Sequence, residues 1–166
     1  DIGIDKSFIK MTLDGWKISY FVKDAKNCDF EKNSGQLAVG MEYLHRLHRV
    51  EVPESAGVKV FDNVAEGKKL MEIASATKGN LKKEFAEVIE KVDRLYPLVQ
   101  EDAKRLGYGL VLCHNDTYEP NYLYDDKGEI YLIDWEYAGM QDPHLDIAMF
   151  CIYSLYSREQ TEQLIP

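Results

Sequence analysis

The chain has 166 residues, 45% hydrophobic and 30% charged, which is enough apolar material to bury a core of one domain, or of one domain and part of another. A formal net charge of −9 argues against a phosphate-backbone binder, so no nucleic-acid partner is expected, and no apolar run approaches the length of a membrane span. Cys28, Cys113 and Cys151 are odd in number and lack Cys-x-x-Cys spacing, so they read as reduced thiols rather than a disulfide or zinc framework; the first five residues have no signal-peptide character, and the expected location is cytoplasmic.

Residues 8–13 and 16–22 flank Asp14-Gly15 and predict a β-hairpin. Residues 23–33 are polar without periodicity and read as a connector. Ser34 is the expected cap of a helix carrying Leu37, Met41, Leu44 and His48 on one face. His45 and His48 lack a third ligand, which makes them core or interface histidines rather than a metal pair. After the loop marked by Pro53 and Gly57, residues 62–76 read as helical despite Gly67. From Asn80 onward, Phe85, Val88, Ile89, Val92, Leu95, Tyr96 and Val99 form an amphipathic stripe that Pro97 should break or kink, and Gly107 and Gly109 end the helical region.

The chemistry concentrates in the stretch that follows. An apolar run ends in His114-Asn115-Asp116; Asn121 comes five residues later; a second apolar run ends in Asp134. The turn Asp125-Asp126-Lys127-Gly128 predicts a hairpin of residues 121–124 with 129–133, which would set Asn121 and Asp134 side by side. A carboxylate and an amide oxygen at that separation make a hard-oxygen site suited to magnesium, with Asp116 nearby as a base. The order of loop Asp, Asn and later metal Asp is that of a kinase catalytic loop. The bland alternative is that these Asx residues merely cap turns, which explains single members better than the set. Pro143 suits the first turn of a helix running to about Tyr156, on which Asp146, Phe150 and Tyr153 share a face, and Ser157 to Gln160 reads as a capping box for one more helix ending at Pro166.

His114-Asn-Asp-x-x-x-x-Asn121, Ile133-Asp-Trp-Glu-Tyr-Ala-Gly139 and Asp142-Pro-x-x-Asp146-Ile-Ala together closely resemble the bacterial choline kinases of the choline/ethanolamine kinase and aminoglycoside phosphotransferase group. The resemblance implies an α+β, protein-kinase-like fold: residues 1–22 as a remnant of the small lobe leading into the hinge, and residues 23–166 as a mainly helical large lobe with short hairpins, cut short at its end. It implies ATP as co-substrate, Mg2+ held by Asn121 and Asp134, Asp116 as catalytic base, and His114 and Asp146 as supports of the loop. Adenine would meet the hinge at Phe21 and Val22 and a floor of Leu123 and Ile133. The substrate expected is a small cationic alcohol, choline or ethanolamine. Because a quaternary ammonium cannot donate hydrogen bonds, aromatic faces and carboxylates would receive it: Trp135, Tyr137 and Tyr153, with Glu136 as either a metal support or a cation partner. One departure is plain, since no glycine-rich phosphate loop and no Lys with a partner Glu precede the first hairpin; residues 1–166 alone are therefore expected to be inactive. The competing expectations are an aminoglycoside or other small-alcohol phosphotransferase, and a catalytically silent kinase-like binding module.

Overall fold

The computed structural model describes residues 3–78 and 81–164. It has the α+β composition expected, mainly helical with short antiparallel sheets. The chain forms two compact units: one runs up to Lys59 and resumes at Val111, and the other is Val60–Leu110. No described helix is long and apolar enough to cross a membrane.

The first unit opens with strands β1 (Phe8–Met11) and β2 (Lys17–Ser19), paired antiparallel. Thr12 N–H donates to Trp16 O at 2.8 Å, and Gly15 takes φ +93°, a value that the Asp-Gly turn admits because glycine has no Cβ. The ladder is shorter than expected. The strands stop at Ser19, and Tyr20 N–H adds one more cross-strand bond, to Ser7 O. The connector after Val22 contains a two-residue strand, β3 (Lys26–Asn27), invisible in the sequence because it pairs by backbone alone and buries neither side chain.

Helix α1 (Ser34–His48) starts one residue away from the expected cap: Asn33, not Ser34, occupies the N-cap, and its side-chain oxygen accepts Gln36 N–H at 3.1 Å. Asn at this position satisfies one of the orphaned first-turn donors as well as Ser does, so the sequence offered two adjacent caps. The helix buries Gly40, Tyr43, Leu44 and Leu47. Gly40 is a close-approach position, since a Cβ there would stand 3.2 Å from the Phe30 ring and 3.4 Å from that of Tyr122. The core beneath α1 joins Ile4, Phe30, Leu44, Leu47, Tyr122, Leu132 and Phe150, with Phe30 and Tyr122 edge to face at 5.0 Å.

Strand β4 (Val111–Cys113) pairs with a strand of residues Gly139–Gln141, and Tyr122–Tyr124 pairs with Ile130–Leu132; numbered in chain order these are β4, β5 (Tyr122–Tyr124), β6 (Ile130–Leu132) and β7 (Gly139–Gln141). The three-stranded sheet has the order β3-β5-β6. Pro143 opens the last long helix at its first position, where its missing N–H costs nothing, and Asp142 caps it through His144 N–H at 2.9 Å. That helix, Pro143–Tyr153, stops short of Tyr156 because the chain turns at Ser154 and Leu155, the latter at φ +53°. A reciprocal capping box then forms as expected: Gln160 Oε1 accepts Ser157 N–H at 2.8 Å, and Ser157 Oγ accepts Gln160 N–H at 3.3 Å.

The elements described in the second unit are helices. Asn63–Lys78 is capped by Asp62, whose carboxylate accepts Ala65 N–H at 2.9 Å, and Gly67 sits within it. Leu81–Glu84 and Ala86–Leu106 divide the expected second helix in two, with Phe85 at the junction; Asn80 lies outside the described residues. In chain order the helices are α2, α3 and α4, followed in the first unit by α5 (Pro143–Tyr153) and α6 (Arg158–Leu164). Pro97 does not end α4, which continues to Leu106 and is closed by Gly107 at φ +76°, with Tyr108 N–H donating to Ala103 O. An ion pair of Lys68 with Asp93 links α2 to α4.

Candidate active site

The site is assembled around one buried carboxylate. Asp146, in the first turn of α5 and fully buried, accepts His114 N–H at 3.0 Å on one oxygen and Asn115 N–H at 2.8 Å on the other. His48 Nε2 donates to the first oxygen at 2.9 Å, and Thr117 Oγ1 donates to the Asp146 backbone carbonyl at 2.5 Å. A buried carboxylate needs such donors to offset its lost hydration. Cys113 Sγ, His48 Nε2 and an Asp146 oxygen lie within 4.8 Å of one another, but the carboxylate is already committed to N–H donors, so this cluster is a junction rather than an ion cage.

The loop hung from Asp146 carries Asp116. Asn121 closes it: its Nδ2 donates to the Asp116 backbone carbonyl and to Asp116 Oδ2, both at 2.8 Å. Both amide hydrogens are thereby used, and Oδ1 of Asn121 is left to accept or to coordinate. Asp116 Oδ1 has no hydrogen bond among the described residues, so it can accept a further donor.

Asn121 ends a 3-10 turn, Glu119–Asn121, rather than beginning a strand, yet its carbonyl accepts Ile133 N–H at 3.0 Å and so extends the β5–β6 ladder by one rung. Asp134 is the next residue, exposed and at φ +66°; Asn115 stands at φ +63°. Two non-glycine residues in the left-handed region within one loop pair are a mark of a constrained site. His114 is fully buried, and its Nε2 donates to Ile133 O at 2.8 Å; burial pushes its pKa below the ordinary 6.5 against the opposing pull of Asp146, Asp116 and Asp134. The Tyr137 phenol is raised by Glu136 first, with smaller contributions from Asp116 and Asp134.

The structure separates the expected aromatic residues. Trp135 is partly buried against the core, its Nε1–H donates to Leu132 O at 2.9 Å, and its ring meets His114 edge to face at 4.7 Å. Tyr137 is exposed, as is the neighbouring Glu136, and Tyr153 is exposed with its ring 5.5 Å from that of Tyr118. Leu123 and Ile133 are partly buried, Val22 likewise, and Phe21 is almost wholly exposed. The β3–β5 pairing, Asn27 opposite Leu123, carries the chain from Val22 to the hairpin that holds Leu123 and Ile133.

Sequence reasoning missed four residues. The sequence marks His48 as a core or interface histidine without indicating its partner, gives no sign of Thr117 or Glu119, and presents Asn115 only within a motif. Glu119 Oε1 accepts Phe30 N–H at 2.7 Å and anchors the loop to the strand side. The one signal available was Asn115 itself, since Asn is among the few residues that tolerate the left-handed region.

The profile of the family described as choline/ethanolamine kinase matches residues 19–164. Protein LicA of Haemophilus influenzae is 30% identical over 124 residues, covering 74% of this chain and 34% of that protein. The crystal structure of choline kinase LicA from Streptococcus pneumoniae superposes with a TM-score of 0.71 at 23% identity, over 99% of this chain and 56% of that one. A spectinomycin phosphotransferase solved with ADP and spectinomycin gives a TM-score of 0.55 at 17% identity, over 96% of this chain and 54% of that one. The fold is thus kinase-like, and the chain spans about a third of the curated relative and little more than half of each solved one.

Proposed function

The chain belongs to the choline/ethanolamine kinase family, and from that premise we propose that the protein transfers the γ-phosphoryl group of ATP to the hydroxyl of a small amino alcohol, choline before ethanolamine. The observation that carries the reading is the Asp116–Asn121 pair, in which both amide hydrogens of Asn121 turn toward Asp116 and leave one carboxylate oxygen and one amide oxygen for substrate and metal.

Asp116 Oδ1 accepts the hydrogen of the alcohol as its oxygen approaches the γ-phosphorus in line. A carboxylate of ordinary basicity suffices for this, because the contribution is placement of the hydroxyl. The residues fit a hard divalent cation: Asn121 offers an amide oxygen, and Asp134 an exposed carboxylate one residue beyond the rung that joins Ile133 to Asn121. Magnesium bound there would neutralise charge on the phosphates. His114 and Asp146 hold the loop. Adenine rests on Leu123 and Ile133 beside the Phe21–Val22 segment. The cationic head faces Tyr137 and Glu136, with Tyr153 at the rim; Trp135, whose N–H is already committed, contributes ring surface only.

Residues 1–22 then stand for the end of a small lobe and residues 23–166 for a large lobe. Because the sequence contains no glycine-rich phosphate loop and no phosphate-holding Lys, residues 1–166 alone are inactive in this reading. Free thiols at Cys28, Cys113 and Cys151 suit a reducing, cytoplasmic setting.

The test is ATP-dependent phosphorylation of choline, ethanolamine and spectinomycin by the full-length protein, with Asp116→Asn and Asp134→Asn beside it. Asp116→Asn should lower turnover by roughly 10²–10⁴-fold while sparing ATP binding, and Asp134→Asn should also weaken the magnesium dependence of ATP binding. Faster turnover of spectinomycin than of choline would move the assignment to the antibiotic phosphotransferases. Binding of ATP without turnover of any alcohol would make the protein a silent binding module.

A further inference from the structure

His114 and Asn115 reach from consecutive positions of the loop to the two ends of one short segment. His114 Nε2 donates to Ile133 O at 2.8 Å, and Asn115 Nδ2 donates to Tyr137 O at 2.9 Å. Asp134, Trp135 and Glu136 lie between those anchors. The Asn115 backbone is fixed independently, by Asp146 on its N–H and by its left-handed φ of +63°, so its Cα–Cβ bond is aimed before the amide meets Tyr137. The residue is 7% exposed, which screens its amide from competing water. Within the segment, a turn bond from Ala138 N–H to Trp135 O at 3.1 Å adds a main-chain restraint before β7 begins.

We infer that Asn115 is a positioning residue: its amide fixes the Glu136–Tyr137 pair relative to Asp116, and so governs capture of the alcohol substrate rather than of ATP. The inference rests on the phosphotransferase reading above. The division of labour follows from the anchors. His114 holds the Ile133 end, next to Asp134 and the β5–β6 hairpin, where nucleotide and metal would sit. Asn115 holds the Tyr137 end, where an aromatic residue and the adjacent Glu136 are both exposed.

Two variants separate the tether from the backbone conformation. Asn115→Asp tolerates the left-handed region but sets an acceptor against the Tyr137 carbonyl; Asn115→Gly relieves all strain and removes the tether. In the full-length protein both should raise KM for the alcohol roughly tenfold, with KM for ATP within about twofold of the parent. Amide exchange of residues 134–138 should accelerate in both variants. A parallel rise of both KM values, or parent-level alcohol KM in Asn115→Gly, would overturn the inference. If the parent phosphorylates no alcohol, the phosphotransferase reading has failed, and unchanged exchange at residues 134–138 in Asn115→Asp would then overturn the tether separately.

Discussion

His48 Nε2 donates to Asp146 Oδ2 at 2.9 Å, so the last residue of α1 and the first turn of α5 meet on the carboxylate that also holds the loop of Asp116. Removing the imidazole deprives a fully buried acceptor of one donor. His48→Ala should lower unfolding stability by about 1–3 kcal/mol, and Asp146→Ala, which strands the His114 and Asn115 amides, should cost more. Urea unfolding of the two variants beside the parent measures both; a His48→Ala midpoint equal to that of the parent would show the bond to be idle.

The His114 ring carries a pH signature. Its folded pKa is depressed below 6.5 by burial, so its neutral form stabilises the fold fully above pH 6.5, and that contribution is lost as pH falls from 6.5 through the lower folded value, where the unfolded chain binds the proton more readily. Stability should therefore fall over that window in the parent, and the fall should be shallower in His114→Gln. Thermal melts at a series of pH values check the sign.

How much of this was legible in the sequence depends on whether a residue acts through its neighbours in the chain or across space. The Asp14-Gly15 and Asp125–Gly128 turns, the Pro143 start and the Ser157–Gln160 box are local chemistry, and each was readable. The closeness of Asp116 and Asn121, five residues apart, was readable from the motif, and the backbone bond of Ile133 N–H to Asn121 O from the hairpin. His48 and Asp146, 98 residues apart, were not, since nothing local to either announces the other. Nor was β3, whose backbone pairs with β5 while its side chains say nothing.

Native thiols should be inert. Burial, reinforced by Glu119, pushes the Cys28 thiol up to about 12; burial and the nearby Asp146 push the Cys113 thiol up further, and Cys151 is buried. Alkylation at pH 8 should label none of the three in the folded protein and all three in denaturant, which mass spectrometry resolves. Rapid labelling of Cys28 under native conditions would contradict its burial.

Tyr122 presents the opposite case to Asp146, a buried hydroxyl with no hydrogen-bond partner among the described residues. Its ring packs against Phe30 and Phe150, so Tyr122→Phe keeps the packing and removes only the orphaned oxygen. Stability should be unchanged or rise by up to about 1 kcal/mol, read as a shift in melting temperature. A loss of more than about 1 kcal/mol would mean that the hydroxyl holds an internal water.

Strand β7 has neighbours on both edges. Met140 N–H donates to Lys59 O at 2.8 Å, while Leu112 of β4 lies opposite Met140 in the ladder, so the point where the first unit leaves off and the point where it resumes flank the same residue, roughly 10 Å apart at ordinary strand spacing. Topologically the helical segment Val60–Leu110 is then a cassette inserted at a seam. Its length and sequence can drift without altering the span it must bridge, and loop closure charges little for each added residue. The seam lies on β7, whose last residue, Gln141, directly precedes Asp142, the cap of the Asp146 helix.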